Sequence, residues 1–391
     1  MSIYYSGEIK FNETEDAIQS MTPESYLRYT KNDRKLEADC KYHGEIKYQL
    51  SDDGRILNVN DPEGKKFMAF AIRDMINAGF DAKGRMERLF RRGGNAAILG
   101  EVDNLQSDFV KAMYLEFIIG SDSINLHDIR LEIKKTGASL GSDFEKGNIL
   151  NKVPVRYLKD SLISMTWFEA VRTIGSDFEK SNDLKYIARE PLTVDQFDNL
   201  VDVSQTMGSD FEKSNVLKVL IDKSSFADTN LNKTLDAVNE IGSDFEKVNL
   251  LRLITEKTKP SAASFDRLID ATEHIGSDFD KGNLIKDLVR TGIPAGADFD
   301  KLMSVIDHIG GDFDRINLIK DIAEKNIQTE QQWISIINAA GEISSDFDKS
   351  NLLLAIAPQL PKNENIKSAY AKVAKTINSE QDYGRVMKAI D

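Results

Sequence analysis

The chain has very little of what builds disulfide-bonded or zinc-binding proteins, with one cysteine and four histidines in 391 residues. Cys40 alone cannot form an internal disulfide, and a zinc module needs about four clustered Cys or His ligands. No run of about 18 apolar residues occurs, and the N-terminus lacks the basic start and apolar stretch of a secretory signal. We therefore expect no membrane insertion and a cytoplasmic location, either for the chain itself or as the soluble part of a longer protein.

Basic residues are fewer than acidic ones: the chain has 51 Lys and Arg residues and 64 Asp and Glu residues, which gives a net charge of −13. Surfaces that bind phosphate backbones draw their affinity from clustered Lys and Arg side chains. Nucleic acid is therefore an unlikely partner. An acidic surface favours a basic protein or peptide instead, with binding that weakens as salt is added.

A short string, Gly-Ser-Asp-Phe-Glu-Lys, recurs at 141–146, 175–180, 208–213 and 242–247, with close variants elsewhere. Its aspartates lie 33 to 35 residues apart, and a degenerate ninth copy follows around Asp382. A fixed period near 34 residues is typical of a stacked array of identical units. The eight aspartates are Asp108, Asp143, Asp177, Asp210, Asp244, Asp278, Asp312 and Asp346.

Apolar spacing within each period predicts two helices. Before the aspartate, one helical face carries apolar residues at i, i+3, i+4, i+7 and i+10, with one polar exception. After it, a second apolar set follows. The first pattern is Phe265, Leu268, Ile269, Thr272 and Ile275 in one unit and Phe299, Leu302, Met303, Ile306 and Ile309 in the next; the second is exemplified by Phe245, Leu250, Leu251 and Ile254. Trp167 and Trp333 fall at first-helix apolar positions, where we expect core packing.

The repeated string itself predicts a tight corner between two helices. Glycines such as Gly175 and Gly208 are expected in the left-handed conformation that ends a helix. The serine is expected as N-cap, and the aspartate at the first helical position is favoured by the helix dipole. The acid three residues after the serine is expected to complete a capping box by reaching back to the backbone N–H of the cap, as Glu145, Glu179, Glu212, Glu246 or Asp280.

In seven of the eight units an asparagine follows the aspartate by five residues, inside the second helix, and the first unit has Met113 there. Asparagine is a mediocre helix former, so its recurrence needs a reason. We predict that its amide bonds to the adjoining corner or unit and forms a ladder that sets the stacking register. The positions are Asn148, Asn182, Asn215, Asn249, Asn283, Asn317 and Asn351.

The first 60 residues read differently, as a small antiparallel β-meander with turns at His43-Gly44 and Asp53-Gly54. A helix is expected to start at Asp61-Pro62 and to bury Phe67, Phe70, Ala71 and Met75 on one face, and a second helix carries a basic stretch. This stretch, which includes Arg85, Arg88 and Arg92, has two interpretations. It could contact phosphate or an acidic peptide, or it could pair with acids of the meander or of the first unit, and we favour the second.

Catalytic patterns are missing from the sequence. There is no His-Glu-x-x-His spacing and no Gly-x-Ser-x-Gly elbow. His274 and His308 occupy equivalent positions in adjacent units, but only two units share them, and the corner acids begin a helix where a calcium loop needs irregular backbone. We therefore predict no catalytic, cofactor-binding or metal-binding residues and no enzymatic activity.

The repeated Ser-Asp-Phe-Glu/Asp-Lys units and the segment 21–29, Met-Thr-Pro-Glu-Ser-Tyr-Leu-Arg-Tyr, resemble a bacterial helical-repeat family. Similar units occur after a small β-rich segment in the soluble portions of membrane zinc peptidases related to beta-lactam sensors, and also in stand-alone proteins. The resemblance covers nearly the whole chain. It implies an accessory or sensing module without catalytic residues, and more broadly a HEAT-like array.

From these observations we predict a mainly α protein, an α-solenoid of eight to nine two-helix repeats behind an N-terminal antiparallel β-meander. The expected parts are the meander at 1–60, linking helices at 61–105 and the solenoid at 106–391. The predicted function is a protein- or peptide-binding scaffold or regulatory adaptor that uses the groove of the solenoid. Two alternatives remain: a sensing module that acts with a separate membrane peptidase, and an array that self-associates.

Overall fold

The computed structural model describes residues 1–121, 124–223, 228–325 and 327–390. Over these residues the chain is mainly helical, with 20 α-helices and a small antiparallel β-structure near the N-terminus. The predicted mainly α class and the N-terminal antiparallel strands are thereby confirmed. No described helix is both long enough and apolar enough to cross a membrane. The chain divides into two compact units, Met1–Asp183 and Leu184–Asp391.

Seven strands lie at the start of the first compact unit: β1 (Ser2–Ser6), β2 (Ile9–Phe11), β3 (Ile18–Met21), β4 (Tyr26–Lys31), β5 (Arg34–Cys40), β6 (Ile46–Asp52) and β7 (Arg55–Leu57). The larger sheet has the order β1-β4-β5-β6-β7, and all its pairs are antiparallel. β2 and β3 form a separate hairpin. The predicted meander is therefore β4 to β7, while β1 pairs with β4 because the β2–β3 hairpin intervenes in the chain.

Alternation along the strands places one face of the sheet in a core. Leu36, Ala38 and Cys40 are buried at every second position of β5. The β6–β7 hairpin closes at Asp53-Gly54, where both residues have positive φ (51° and 74°), as a two-residue turn of the predicted type requires. The apolar residues of the sheet belong to one hydrophobic cluster with those of the helices that follow it.

Two helices follow the sheet, α1 (Pro62–Asn77) and α2 (Ala82–Val102). α1 starts at the proline, as predicted, and buries Phe67, Ala71 and Met75. Phe70 was expected on the same buried face but is 37% exposed, and Arg34 and Lys31 stack on its ring instead. The backbone of α2 breaks at Gly93 and Gly94, and Gly94 has a φ of 61° that favours glycine.

Eighteen further helices complete the described chain. They are α3 (Asp108–Ile119), α4 (Leu126–Ser139), α5 (Asp143–Leu150), α6 (Val155–Leu158), α7 (Ser161–Arg172), α8 (Asp177–Ile187), α9 (Val194–Gln205), α10 (Asp210–Lys223), α11 (Asp228–Asn239), α12 (Asp244–Lys257), α13 (Ala262–Glu273), α14 (Asp278–Arg290), α15 (Phe299–Asp307), α16 (Asp312–Lys325), α17 (Glu330–Gly341), α18 (Asp346–Ile356), α19 (Glu364–Ala374) and α20 (Glu380–Lys388). All eight repeated aspartates are the first residue of a helix, as predicted. We call these the second helices: α3, α5, α8, α10, α12, α14, α16 and α18. The first helices are α4, α7, α9, α11, α13, α15, α17 and α19.

Helices within the second compact unit contact the helix two places further along the chain. The first helices α9, α11, α13, α15, α17 and α19 contact one another in sequence, and so do α10, α12, α14, α16, α18 and α20. The predicted apolar face of α13 is buried, with Phe265, Leu268 and Ile269 all fully enclosed. Trp167 in α7 and Trp333 in α17 are also buried, so their assignment to the core is confirmed.

Candidate functional site

The repeated aspartate connects one corner to the corner of the next unit. Asp108 Oδ2 accepts hydrogen bonds from the backbone N–H groups of Gly141 (2.9 Å) and Ser142 (2.7 Å). In the second compact unit the same contact joins Asp210 to Ser243, Asp244 to Gly276, Asp278 to Gly310, Asp312 to Ser344 and Asp346 to Asn378. Each carboxylate thus satisfies an N–H group that would otherwise be unpaired near the start of a helix.

The corner glycines have a role different from the predicted one. Neither Gly175 nor Gly208 has a positive φ, so the left-handed helix end is wrong for both. α7 already ends at Arg172, three residues before Gly175, which leaves no helix for that glycine to terminate. A Cβ on Gly175 would lie 3.2 Å from Asp143 Oδ2. The absence of a side chain therefore makes room for the aspartate of the preceding unit.

Serine capping is confirmed, but the capping box at the corner is wrong. Ser142 Oγ accepts a hydrogen bond from the backbone N–H of Glu145 (3.3 Å). The backbone N–H of Ser142, which Glu145 was expected to bind, donates to Asp108 instead. Complete capping boxes occur at the starts of two first helices, in the pairs Thr193–Gln196 and Thr329–Gln332.

The basic residue at the end of the string points inward and caps a first helix. Lys146 Nζ donates to the carbonyl of Thr173 (3.0 Å), which is the C-cap of α7. Lys111 Nζ donates to the carbonyl of Ser139 (2.9 Å), the last residue of α4. A cation at the C-terminal end of a helix is favoured by the dipole. The glycine, serine, aspartate and lysine of the string therefore all serve the architecture.

The phenylalanine of the string is exposed in every unit. These side chains are 59 to 76% accessible, at Phe109, Phe144, Phe178, Phe211, Phe245, Phe279, Phe313 and Phe347. Exposed single apolar residues are ordinary, but the same aromatic residue at one position of adjoining helices forms a patch. In the second compact unit it lies on α10, α12, α14, α16 and α18, which contact one another in order. We call Phe211, Phe245, Phe279, Phe313 and Phe347 the phenylalanine row.

Placing Phe245 in the buried stripe of the second helix was therefore wrong, since it is 71% exposed. Phe245 precedes Ile254 by nine residues, which at about 100° per residue puts the two side chains on opposite sides of the helix. Leu250, Leu251 and Ile254 are buried as predicted. Helical periodicity, applied to the whole string, would have identified the phenylalanine as a surface residue.

The repeated asparagine lies one helical turn after the phenylalanine, on the same face. All seven asparagines are partly exposed. Among the residues that the structure describes, none of these amides has a hydrogen-bond partner, and none of their polar atoms is sealed from solvent. The predicted ladder of asparagine bonds between units is therefore wrong, because the aspartates make the contacts between corners.

The basic stretch of α2 pairs with acids, as the favoured interpretation predicted. The buried Arg85 guanidinium donates to Glu15 (2.5 Å), to Glu101 (2.7 Å) and to the hydroxyl of Tyr114 (3.1 Å). Arg88 Nη1 donates to Asp81 Oδ2 (2.9 Å), and Arg92 lies 3.6 Å from Glu13. Arg85 therefore joins the β2–β3 hairpin to α2, while Arg91 and Arg92 stay 64% and 50% exposed beside Glu13.

Two buried carboxyl groups interrupt the apolar interior of the first compact unit. Burial raises the pKa of Glu132 to about 8, although Thr136 donates a hydrogen bond to it (2.9 Å). Burial, reinforced by the charge of Glu179, raises the pKa of Asp183 to about 8, and neither oxygen of Asp183 has a hydrogen-bond partner. Asp183 occupies the position that Leu284 fills in another unit. Both acids are mostly protonated at neutral pH.

A polar cleft of about 430 Å³ lies between α15 and α17, lined by Asp300, Met303, Ser304, Asp307, Arg315, Ser335, Asn338, Ala339 and Glu342. Burial raises the pKa of Asp307. Arg315 is held by Asp312 and by the carbonyl of Asp307 (3.3 Å), and Ser335 donates to Asp300 (2.5 Å). In the described part of the chain, no three His, Cys, Asp or Glu side chains are grouped as a metal site would require.

Comparison with known proteins adds no family. No family model matches the chain, and no curated protein does. Among solved structures, a chain from a computational design of self-assembling cyclic protein homooligomers is 13% identical, over 82% of this chain and 96% of that one. Its TM-score is 0.13, which is too low for the likeness to inform the fold or the assembly of this protein.

Proposed function

We propose that this chain is a non-enzymatic scaffold or regulatory adaptor that binds protein or peptide partners on an α-solenoid of eight to nine two-helix units. The contacts of each described helix in the second compact unit with the helix two places further along support the stacking. The observation that carries the binding function is the phenylalanine row. It is the one large residue of the string that the architecture does not use, and it is exposed throughout.

The proposed binding surface is the phenylalanine row, and use of the solenoid groove, expected from the sequence, stays a prediction. Aromatic residues are enriched at the centres of protein interfaces because they bury a large area with few rotatable bonds. Leaving at least five of them in water has a cost in solubility, and a partner that covers them removes that cost. The cytoplasmic location expected from the sequence stays a prediction.

The test is affinity capture from a native lysate with the parent chain and with the triple variant Phe245→Ser/Phe279→Ser/Phe313→Ser. Because these side chains are exposed, we expect the variant to keep its circular dichroism spectrum and melting temperature and to lose the captured partner. A matched control, Leu162→Ser/Met165→Ser/Val194→Ser, removes three apolar side chains that are exposed elsewhere. Equal capture by the parent and the phenylalanine variant would contradict the proposal.

The identity of what is captured separates the alternatives. A membrane peptidase that is lost with the phenylalanine variant would favour the sensing module. A self-associating array would be favoured if the chain captures itself. Light scattering should then give a mass that grows with concentration for the parent chain and is lower for the phenylalanine variant.

A further inference from the structure

Two repeated side chains without an architectural role lie next to each other on the second helices. The exposed phenylalanine and the asparagine four residues later share a helical face, so each second helix presents one aromatic ring and one amide together. We call Asn215, Asn249, Asn283, Asn317 and Asn351 the asparagine row. It runs beside the phenylalanine row along α10, α12, α14, α16 and α18 of the second compact unit.

The chemistry of the asparagine row fits a peptide main chain. A primary amide carries donors and an acceptor, and therefore can bond the N–H and C=O groups that an extended peptide leaves free. Neighbouring packed helices lie about 8 to 10 Å apart, and an extended chain in the polyproline II conformation makes one turn in three residues with a rise of about 9 Å. One amide thus meets an extended peptide about every third residue. A helical partner would offer no such groups, since its main chain is bonded internally.

The charge around the phenylalanine row selects a basic peptide. Each ring of the row lies between the repeated aspartate and a second acid, as in Asp278-Phe279-Asp280. The cation of the string is turned away from this surface, because Lys247, Lys281 and Lys349 are buried. Seven residues after the ring, on the same helical face, Lys218, Arg252 and Lys286 pair with Glu246, Asp287 and Asp321 of the next second helix. A Lys or Arg side chain of a partner can lie over an exposed ring and beside a carboxylate, and both contacts favour a cation.

We infer that the partner of this surface is an extended basic segment of polypeptide, whose main chain is bound by the asparagine row and whose cationic side chains lie on the phenylalanine row. The inference rests on the proposed binding function and adds the conformation and chemistry of the ligand. Recognition of the main chain makes binding tolerant of the sequence between the basic residues.

The test uses fluorescein-labelled peptides and fluorescence anisotropy with the whole chain. The probe is (Lys-Ser-Val)4, and its comparators are (Glu-Ser-Val)4 and a form of the probe that is N-methylated at every residue, which keeps the side chains but has no main-chain N–H. The asparagine variant is Asn249→Leu/Asn283→Leu, and its control is Gln331→Leu/Asn338→Leu, two exposed amides on the first helix α17.

We expect the N-methylated and the acidic peptides to bind the parent chain at least about tenfold more weakly than the probe. The asparagine variant should bind the probe about tenfold more weakly than the parent does, and its affinity for the N-methylated form should equal that of the parent. The control variant should bind the probe as tightly as the parent. Equal binding of the probe and its N-methylated form, unchanged binding by the asparagine variant, or no binding of the probe to the parent would each overturn the inference.

The two proposals fail separately. Suppose that the phenylalanine variant, Phe245→Ser/Phe279→Ser/Phe313→Ser, no longer binds the probe and that the asparagine variant still does. The phenylalanine row then remains a binding surface, and the inference about the main chain is wrong. If the phenylalanine variant keeps both the probe and the partner captured from lysate, the proposed function itself is wrong.

Discussion

The N-terminal sheet region and the repeated units solve the same problem, joining secondary structures through polar contacts, in opposite ways. Around the sheet each contact occurs once: Arg85 joins the β2–β3 hairpin, α2 and α3, and Asp74 of α1 accepts from Tyr29 (2.6 Å) and Lys31 (2.8 Å) of β4. In the repeats one contact, from an aspartate to the next corner, recurs about every 34 residues. Stability is therefore concentrated near the sheet and distributed along the units.

The chain offers a direct way to measure this difference, because each compact unit contains one tryptophan, Trp167 in the first and Trp333 in the second. Both indoles are buried, so unfolding changes their fluorescence. In a Trp333→Phe background the emission reports the first compact unit, and in a Trp167→Phe background it reports the second.

The largest effect is expected at Arg85. Replacement by methionine leaves Glu15, whose side chain is 10% exposed, without its cation, and leaves Glu101, which is 15% exposed, with the longer contact to Arg73 (3.4 Å). Removing one partner of a buried ionic network costs about 3 to 5 kcal/mol of unfolding free energy. Urea titration in the Trp333→Phe background measures the loss. Arg91→Met is the control, since Arg91 is 64% exposed and 3.5 Å from Glu13, and should cost less than about 1 kcal/mol. Similar losses in both variants would show that the region has no dominant polar centre.

Loss of one aspartate bond between units should lower the unfolding free energy by less than loss of Arg85. Asp244→Ala removes the charged acceptor of the Gly276 N–H (2.9 Å), which corresponds to about 1 to 3 kcal/mol. Urea unfolding followed by Trp333 in the Trp167→Phe background measures it. Asp280→Ala removes an acid that joins no two units and should cost a few tenths of a kcal/mol through the helix dipole. If both variants behaved alike, the aspartate would act through the dipole, and the units would not be coupled by this bond.

The buried Asp183 breaks the repetition, and restoring the apolar residue should stabilise the chain. Its pKa of about 8 lies above the ordinary value of 3.8, so the folded state retains a proton that the unfolded state releases. Stability therefore falls as pH rises from about 4 to about 8. Asp183→Leu should raise the unfolding free energy at pH 8.5 by about 1 to 3 kcal/mol and reduce this pH dependence. Unfolding at pH 5 and pH 8.5 in the Trp333→Phe background tests it, with the exposed Glu169→Leu as control. An equal gain at both pH values would contradict the role of the proton.

The smallest effect is expected at the asparagines. Asn215→Leu should change the unfolding free energy by less than about 0.5 kcal/mol, because the amide has no hydrogen-bond partner among the described residues. Asp210→Ala, in the same helix, loses the bond to Ser243 (2.9 Å) and should cost about 1 to 3 kcal/mol. Urea unfolding in the Trp167→Phe background compares the two. A loss at Asn215 as large as at Asp210 would return the asparagines to a structural role.

Local chemistry was the predictable part of this fold. The period can be read directly from the recurring string, and the apolar faces follow from spacing over about three helical turns. The serine cap and the aspartate at the first helical position follow from residues within one helical turn, which capping rules cover. The turn at Asp53-Gly54 was predictable for the same reason. The phenylalanine row was within reach too, because the angular position of Phe245 around its helix already excludes it from the buried face.

The contacts between units were not predictable, because they join residues some 34 positions apart whose approach depends on packing. From the sequence, Asp143 was predictable only as a favourable charge at the start of a helix, and Asn148 only as a recurring residue without a known partner. Only the fold brings Asp143 to the N–H groups of Gly175 and Ser176 (3.0 and 2.8 Å) and leaves Asn148 in contact with solvent. The partners of Arg85 were unpredictable in the same way, since Glu15 lies 70 residues away.

The bond between an aspartate and the following corner also makes the gene easy to lengthen or shorten. Deleting residues 244–277 would place Asp278 directly after Ser243 and recreate Gly-Ser-Asp-Phe-Asp-Lys, with Asp210 still in position to accept from the new junction. Every corner that carries this string is in this sense a compatible splice point. Unequal recombination within the coding sequence can therefore add or remove one ring and one amide of the proposed binding surface at a time, and on that proposal the length of the ligand would change in steps of a single unit.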